Sequence, residues 1–246
     1  MPAEGDLFAN TSRNANAVAE ALLAEEPGVR RVLDIPCGEG ALTRRLLERG
    51  YEVHSADLEP VAKVNLERFR LADMDRPLPY EDGFFDAVVC VDGIEHLTRP
   101  FDFIAECARV LRPGGAFILC TPNASALRSR WRFFLTGFHN KGKTPLDERA
   151  PHPLHHIALV TFPELRYRLH TRGFRVTAVR ANITKAAAWF YLPWVPLAYL
   201  VTRLVFWREE RDPAVRRQNR EVLGQLFSVP VLFGELLLVK AVKGVA

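Results

Sequence analysis

The sequence predicts an α/β fold, an open and mostly parallel sheet with helices on both faces, from three observations. Short apolar runs of strand length alternate with segments of helical spacing. The runs end in Gly-rich or acidic turns, where open sheets of this kind receive ligands. The 246 residues, 48% hydrophobic and 25% charged, are enough for one well-cored domain. Alternation at this spacing implies βαβ units.

Residues 11–26 read as an opening amphipathic helix with Val18, Leu22 and Leu23 on one side. VRRVLDI (29–35) is a strand ended by a Gly-rich turn, and ALTRRLLERG (41–50) is a helix stopped at Gly50. YEVHSAD (51–57) is the second strand, and Pro60 suits the first turn of a short helix through Asn65. FRLADM (69–74) and FFDAVVCV (84–91) follow as strands, and a helix runs from Thr98 and Pro100 to Leu111. RPGG (112–115) is read as a turn and AFILCT (116–121) as a buried strand. Thr161 and Glu164 have capping-box spacing for a helix that ends at Gly173. FRVTAVR (174–180) and LLLVKAV (236–242) are the last two strands.

The chemistry is concentrated at predicted strand ends. Asp34-Ile-Pro36-Cys37-Gly38-Glu-Gly40 closes the first strand, and its glycines let a ligand approach the backbone. Amide N–H groups at the next helix start suit a carboxylate, and Asp34 offers an acceptor for an ammonium group. Asp57, followed by Leu58, ends the second strand, where a carboxylate can accept ribose hydroxyls; alone, it would be read as a helix cap. Asp73-Met74 ends the third strand, and Val91-Asp92 ends the fourth, ahead of Glu95-His96. A dinucleotide fingerprint would need glycine or alanine where Thr43 stands.

The run Asp34 to Gly40 resembles the first motif of class I methyltransferases that depend on S-adenosylmethionine (SAM), with Pro36 where many members have glycine. Asp73, Leu78-Pro79 and Phe85-Asp86 resemble the family's next stretch, and Glu95-His96-Leu97, ARVLRPGG (108–115) and Thr121-Pro122-Asn123 the one after. The likeness covers residues 30 to 123 strongly and 155 to 180 weakly, and lies nearest the small-molecule and ubiquinone-type O-methyltransferases. It implies a Rossmann-like three-layer sandwich of seven strands with an antiparallel last strand. It also implies SAM as cofactor, with Asp34, Pro36, Cys37, Gly38 and Gly40 at the methionine end, Asp57 and Leu58 at the ribose, Asp73 and Met74 at the adenine, and Val91 and Asp92 beside them.

Methyl transfer from a sulfonium needs alignment, and a base only where the acceptor must lose a proton. His96, with Glu95, is a base candidate just past the fourth strand, and His155 or His156 is an equal one; each histidine also reads as a loop cap or solvated residue. No metal is expected. The ubiquinone-type E-x-x-E-H loop, which is associated with a divalent ion, would place one on Asp92, Glu95 and His96.

Four domains of use are expected: an N-terminal helix or lid (1–28), a SAM-binding core (29–180), an apolar and basic helical insertion (181–234) and a final core strand (235–246). The insertion holds AAAWFYLPWVPLAYLVT (186–202), short for a membrane span and interrupted by Pro193 and Pro196. With Trp189, Tyr191, Trp194 and Trp207 it reads as an in-plane anchor, a lid over a lipophilic acceptor, or a helical subdomain packed on the sheet. Arg128, Arg130, Arg132, Lys141 and Lys143 form one basic cluster and 203–220 another, but a net charge of +4 lacks the extended stripe of a nucleic-acid binder. Cys37, Cys90, Cys107 and Cys120 form no C-x-x-C pair and read as buried thiols. The first residues lack a signal-peptide pattern, so the expected address is the cytoplasm, at or near the inner membrane surface. The expected function is methyl transfer to a small or lipophilic acceptor, at oxygen. The alternatives are a membrane-associated non-catalytic protein of the same fold and a nicotinamide-dependent oxidoreductase.

Overall fold

Seven strands form one sheet in the order β3-β2-β1-β4-β5-β7-β6. They are β1 (Arg31–Asp34), β2 (Glu52–Asp57), β3 (Phe69–Leu71), β4 (Phe85–Val91), β5 (Leu111–Pro122), β6 (Phe174–Ala181) and β7 (Leu236–Lys243). Pairings from β3 to β5 are parallel, and β7 runs antiparallel between β5 and β6, as expected of a last strand in this fold class. The structure, a computed structural model, describes residues 7–8, 11–142, 145–150 and 152–245, so Lys143 lies outside the described residues, as do parts of the expected 1–28 lid.

The central strands read as unbroken apolar runs because both faces of the sheet are covered. Val88 and Cys90 of β4 face one core, with Phe103, Ile104, Phe117, Phe162 and Leu165. Val89 and Val91 face the other, with Ala19, Leu22 and Leu23 of α1 (Ala15–Ala24) and Leu42 and Leu46 of α2 (Ala41–Glu48). The first core is completed by α3 (Pro100–Val110) and α5 (Phe162–Thr171). The capping box at Thr161 and Glu164 is present, and all four cysteines are free and buried. Lys240, buried on β7, ties the end of α1 to the sheet through Glu25 and Glu26, each at 2.7 Å.

Two expectations are corrected. Residues 60–65 form no helix; a 3-10 turn at Leu66–Arg68 follows instead. The segment is pinned as a strap: Lys63 N donates to Glu39 O, Asn65 Nδ2 donates to Val53 O, and Asn65 has φ of 58°. RPGG (112–115) is part of β5 rather than a turn before it. The β4–β5 register jumps from Phe85↔Leu111 to Ala87↔Ala116, so the four residues bulge opposite Asp86. The Asp86 carboxylate accepts from Arg30 N, Arg31 N and Arg112 Nε, which holds the bulge on the edge of β1.

Between β6 and β7 lie a 3-10 segment (Ala186–Trp194), α6 (Val195–Glu209), α7 (Pro213–Leu226) and α8 (Val229–Phe233), as the expected helical insertion. None of the residues of α6 is buried. Residues 186–209 make up a helical run long and apolar enough, by length and composition alone, to cross a membrane. After β5, α4 (Leu127–Thr136) lies against the insertion, with Trp131 stacked on Trp194 at 6.1 Å.

A β-carbon on Gly115 would sit 2.9 Å from Arg112 O and 3.0 Å from Asp86 O, both backbone atoms. Gly115→Ala therefore lowers the unfolding free energy by about 1–3 kcal/mol, read as a lower thermal midpoint, because backbone cannot swing aside as a side chain can. An unchanged midpoint would mean that the bulge relaxes freely.

Candidate cofactor and acceptor site

The turn after β1 wraps closely around the helix start. Gly38 has φ of 52° and Gly40 of 95°, conformations that side chains rarely adopt, and a β-carbon on Gly40 would lie 2.4 Å from Val64 Cγ2. Pro36 is in a cis peptide, and Cys37 is buried with its N–H donating to Ala56 O. Asp34 is buried: Thr43 Oγ1 donates to its Oδ2 at 2.6 Å, while Oδ1 has no hydrogen-bond partner among the described residues. Burial, and then the nearby charge of Asp57, raise the Asp34 carboxyl to about 7 against the pull of the Thr43 bond. An orphaned buried carboxylate oxygen beside a glycine cradle fits a ligand with an ammonium group and a carboxylate, as the methionine end of SAM requires.

Asp57 Oδ2 accepts from Gly38 N at 2.8 Å and Oδ1 from Glu59 N at 3.3 Å, so the carboxylate braces the glycine turn and keeps lone pairs for a ligand. Leu58, beside it, is exposed. Asp73 is half exposed and caps its own turn through Asp75 N, and Met74 packs against the core. These groups line up along the C-terminal ends of β1, β2 and β3, at one end of the sheet.

After β4 the chain turns through Asp92, at φ of 48°, into a 3-10 turn over Ile94–His96. Val91 is buried beneath it. Asp92 accepts from Thr11 Oγ1 at 2.5 Å and faces Cys120 Sγ at 3.6 Å. Glu95 is buried; its main-chain carbonyl accepts from Ile157 N and Ala158 N, and its Oε2 from Thr121 Oγ1. Burial, then the Asp92 charge, push the Glu95 carboxyl up to about 8, so it is protonated at neutral pH.

His96 Nδ1 lies 3.1 Å from His155 O. A carbonyl only accepts, so Nδ1 carries the hydrogen and Nε2 keeps its lone pair. Burial lowers the His96 pKa, which keeps the ring neutral. His156 packs edge-on against His96 at 4.8 Å, and burial lowers its pKa too. The structure thus brings Glu95, His96 and His156 together, whereas His155 contributes its carbonyl and its ring tilts toward His152. Ligand atoms of Glu95, His96 and His156 lie within 4.8 Å of one another, a set able to hold a metal; Asp92, implied by the resemblance, is outside that cluster.

Several contributors escaped sequence reading. Thr43 served there only to exclude a dinucleotide site, yet it holds Asp34; its place in the first turn of α2 was the available signal. Phe8 N donates to Glu39, Thr11 to Asp92, and Ser12 Oγ accepts from Lys141 Nζ, so these three residues ahead of α1 tie to the turn after β1, the turn after β4 and Lys141. No local pattern marked these contacts, which span 31 to 129 residues of chain.

Comparison with known proteins agrees with this geometry. The methyltransferase domain family matches residues 33–119. The chain is 36% identical over 108 residues to a ubiquinone biosynthesis O-methyltransferase of Xanthomonas axonopodis pv. citri, a match over 40% of this chain and 45% of that one. It therefore spans about half the length of the curated relatives it matches. A SAM-dependent methyltransferase structure from Archaeoglobus fulgidus superposes with a TM-score of 0.54 at 22% identity, over 93% of this chain and 92% of that one. Phosphoethanolamine N-methyltransferase 2 of Haemonchus contortus, solved with SAM, gives 0.55 at 16% identity, over 94% and 52%.

The affinity for S-adenosylhomocysteine rises with pH through about 7, because an ionised Asp34 is what an ammonium group attracts. Calorimetric titration from pH 6 to 8 checks this, and Asp34→Asn flattens the dependence while weakening binding; a flat wild-type profile would count against the pairing. Over residues 33–119, which include the turn built on Asp34, Gly38 and Gly40, the chain is similar to the methyltransferase domain family, and its seven-stranded sheet is the fold of the solved methyltransferases it superposes on.

Proposed function

We propose that the chain transfers a methyl group from SAM to an oxygen of a small or lipophilic acceptor, with His96 as the base. The observation that carries this is the His96 ring, kept neutral by burial and oriented by its Nδ1 hydrogen to a carbonyl, in the short turn after β4. When bound, SAM supplies a methyl group activated on a sulfonium, displaced in line by the acceptor atom. The chain's own residues bind and align: Asp34, Pro36, Cys37, Gly38 and Gly40 receive the methionine end, Asp57 and Leu58 the ribose side, and Asp73 and Met74 the adenine. Val91 and Asp92 form the floor between cofactor and acceptor. His96 Nε2 takes the proton of an acceptor hydroxyl, with His156 packed against the ring and the protonated Glu95 fixing the loop. An oxygen acceptor agrees with a base in this place and with the O-methyltransferase name of the Xanthomonas relative.

The lipophilic acceptor and a membrane contact rest on the insertion. Trp189, Phe190, Trp194, Leu200 and Trp207 are exposed along one run, while Arg203, Arg208, Arg211, Arg217 and Arg220 follow closely. Aromatic residues with neighbouring cations suit the headgroup level of an anionic bilayer.

His96→Asn lowers turnover of a phenolic acceptor by about 10²–10⁴-fold and leaves S-adenosylhomocysteine affinity within about twofold. Unchanged turnover would remove the base role. In a sedimentation assay the chain goes down with phosphatidylglycerol vesicles but not with phosphatidylcholine vesicles. Trp194→Ser with Trp207→Ser cuts the bound fraction about fivefold; a double variant that sediments like the parent would show that this run does not meet the bilayer.

A further inference from the structure

A cavity of 130 Å³ lies past the end of β5, between α4, the 137–142 turn and the start of the insertion. At roughly 10–15 Å³ per water on this measure, it has room for a group of about ten water positions. Its walls carry three cations, Arg128, Lys141 and Lys185, and one carboxylate, Glu235. Glu235 holds Lys185 at 3.0 Å and Lys141 at 3.6 Å, which fixes both ammonium groups at the cavity wall. Arg128 has no acidic partner among the described residues. Three positive groups against one negative leave a charge of +2 facing the space.

A second, independent feature points to a ligand. Asn123 is 5% exposed and lines the same cavity. Its Nδ2 donates to Pro230 O, Val231 O and Gly234 O, which settles which end of the amide is which. Its Oδ1 is buried with no partner among the described residues and needs a donor. Lys141, which lines the cavity, is also near enough for its charge to act on Glu95 and His156, the two groups clustered with His96.

We propose that this cavity is an oxyanion subsite of the methyl acceptor, taking a phosphate group whose neighbouring hydroxyl donates to Asn123 Oδ1. The proposal rests on the methyltransferase reading and names its substrate class. A net +2 matches a phosphate monoester dianion, and Arg and Lys donors bind phosphate oxygens by charge-assisted hydrogen bonds. The exposed apolar run starts at the cavity rim, where Ala188 and Lys185 line it, so an acyl or prenyl tail leaving the cavity meets apolar surface at once.

The test is titration of the full chain with dodecyl phosphate, with uncharged dodecyl maltoside and with inorganic phosphate, each with and without S-adenosylhomocysteine. Dodecyl phosphate binds about tenfold more tightly than the maltoside, and Arg128→Gln with Lys185→Gln removes that preference, while Arg128→Lys with Lys185→Arg keeps most of it. Equal binding of the two amphiphiles, or a preference that survives the glutamine pair, overturns the subsite. Displacement of dodecyl phosphate by millimolar inorganic phosphate supports an anion recognised on its own. Failure of displacement, with the preference intact, supports a headgroup recognised together with its tail. Binding of S-adenosylhomocysteine is read separately: its absence from the wild-type chain overturns the methyltransferase reading, whereas its presence without a phosphate preference overturns the subsite alone.

Discussion

The site depends on one close approach, between the turn after β1 and the turn after β4. A β-carbon on Gly93 would stand 2.4 Å from Pro36 Cδ and 3.1 Å from Cys90 Sγ, so the second turn lies against the proline ring with no space between. That contact decides where the strand-end groups fall. Asp34 is fixed on one side with its carboxylate buried, and on the other the chain leaves through Asp92 into the short helix that carries Glu95 and His96. Asp34 and His96 therefore sit on opposite sides of one close approach, the placement on which the proposed alignment relies.

The carboxyls nearest this contact are the ones most disturbed by burial. Asp34 and Glu95 are both held close to neutral pH, each by loss of water first and by a neighbouring carboxylate second. Neither has an ion pair among the described residues, so each waits for a partner outside the protein or stays protonated. The charge of Lys141 eases Glu95, and the position of Lys141 is set by Ser12 and Glu235, far from it in sequence.

The sheet was legible because burial on both faces leaves Val, Ile, Leu and Phe in unbroken runs, and the acids at their ends stand out against that background. Asp34, Asp57, Asp73 and Asp92 all lie where the alternation put them. Local rules failed where distant contacts overrode them. Pro60 promised a helix, but Val64 is pressed on Gly40 and Asn65 is tied to Val53, and the strap has no freedom to coil. RPGG carries turn residues, yet Asp86 gathers three donors and holds those residues as a bulge in the strand. His155 and His156 were equal in sequence; as neighbours on the loop they point different ways, so His156 brings its ring to the site and His155 only its carbonyl.

The antiparallel β7 has a further consequence. Ala181 at the end of β6 pairs with Leu237, and Pro122 at the end of β5 pairs with Leu236, so the chain leaves β6 and enters β7 on the same rim of the sheet that carries the site. The two anchor points are one strand apart whatever is threaded between them, and the entropy of closing such a loop grows only slowly with its length. The part of the segment free to vary is α6, none of whose residues is buried, because Leu226 and Val231 further along belong to the core beneath the sheet. The candidate site lies along β3 to β4 in one half of the sheet, and the length of chain that varies leaves from the other half, at the β6 edge.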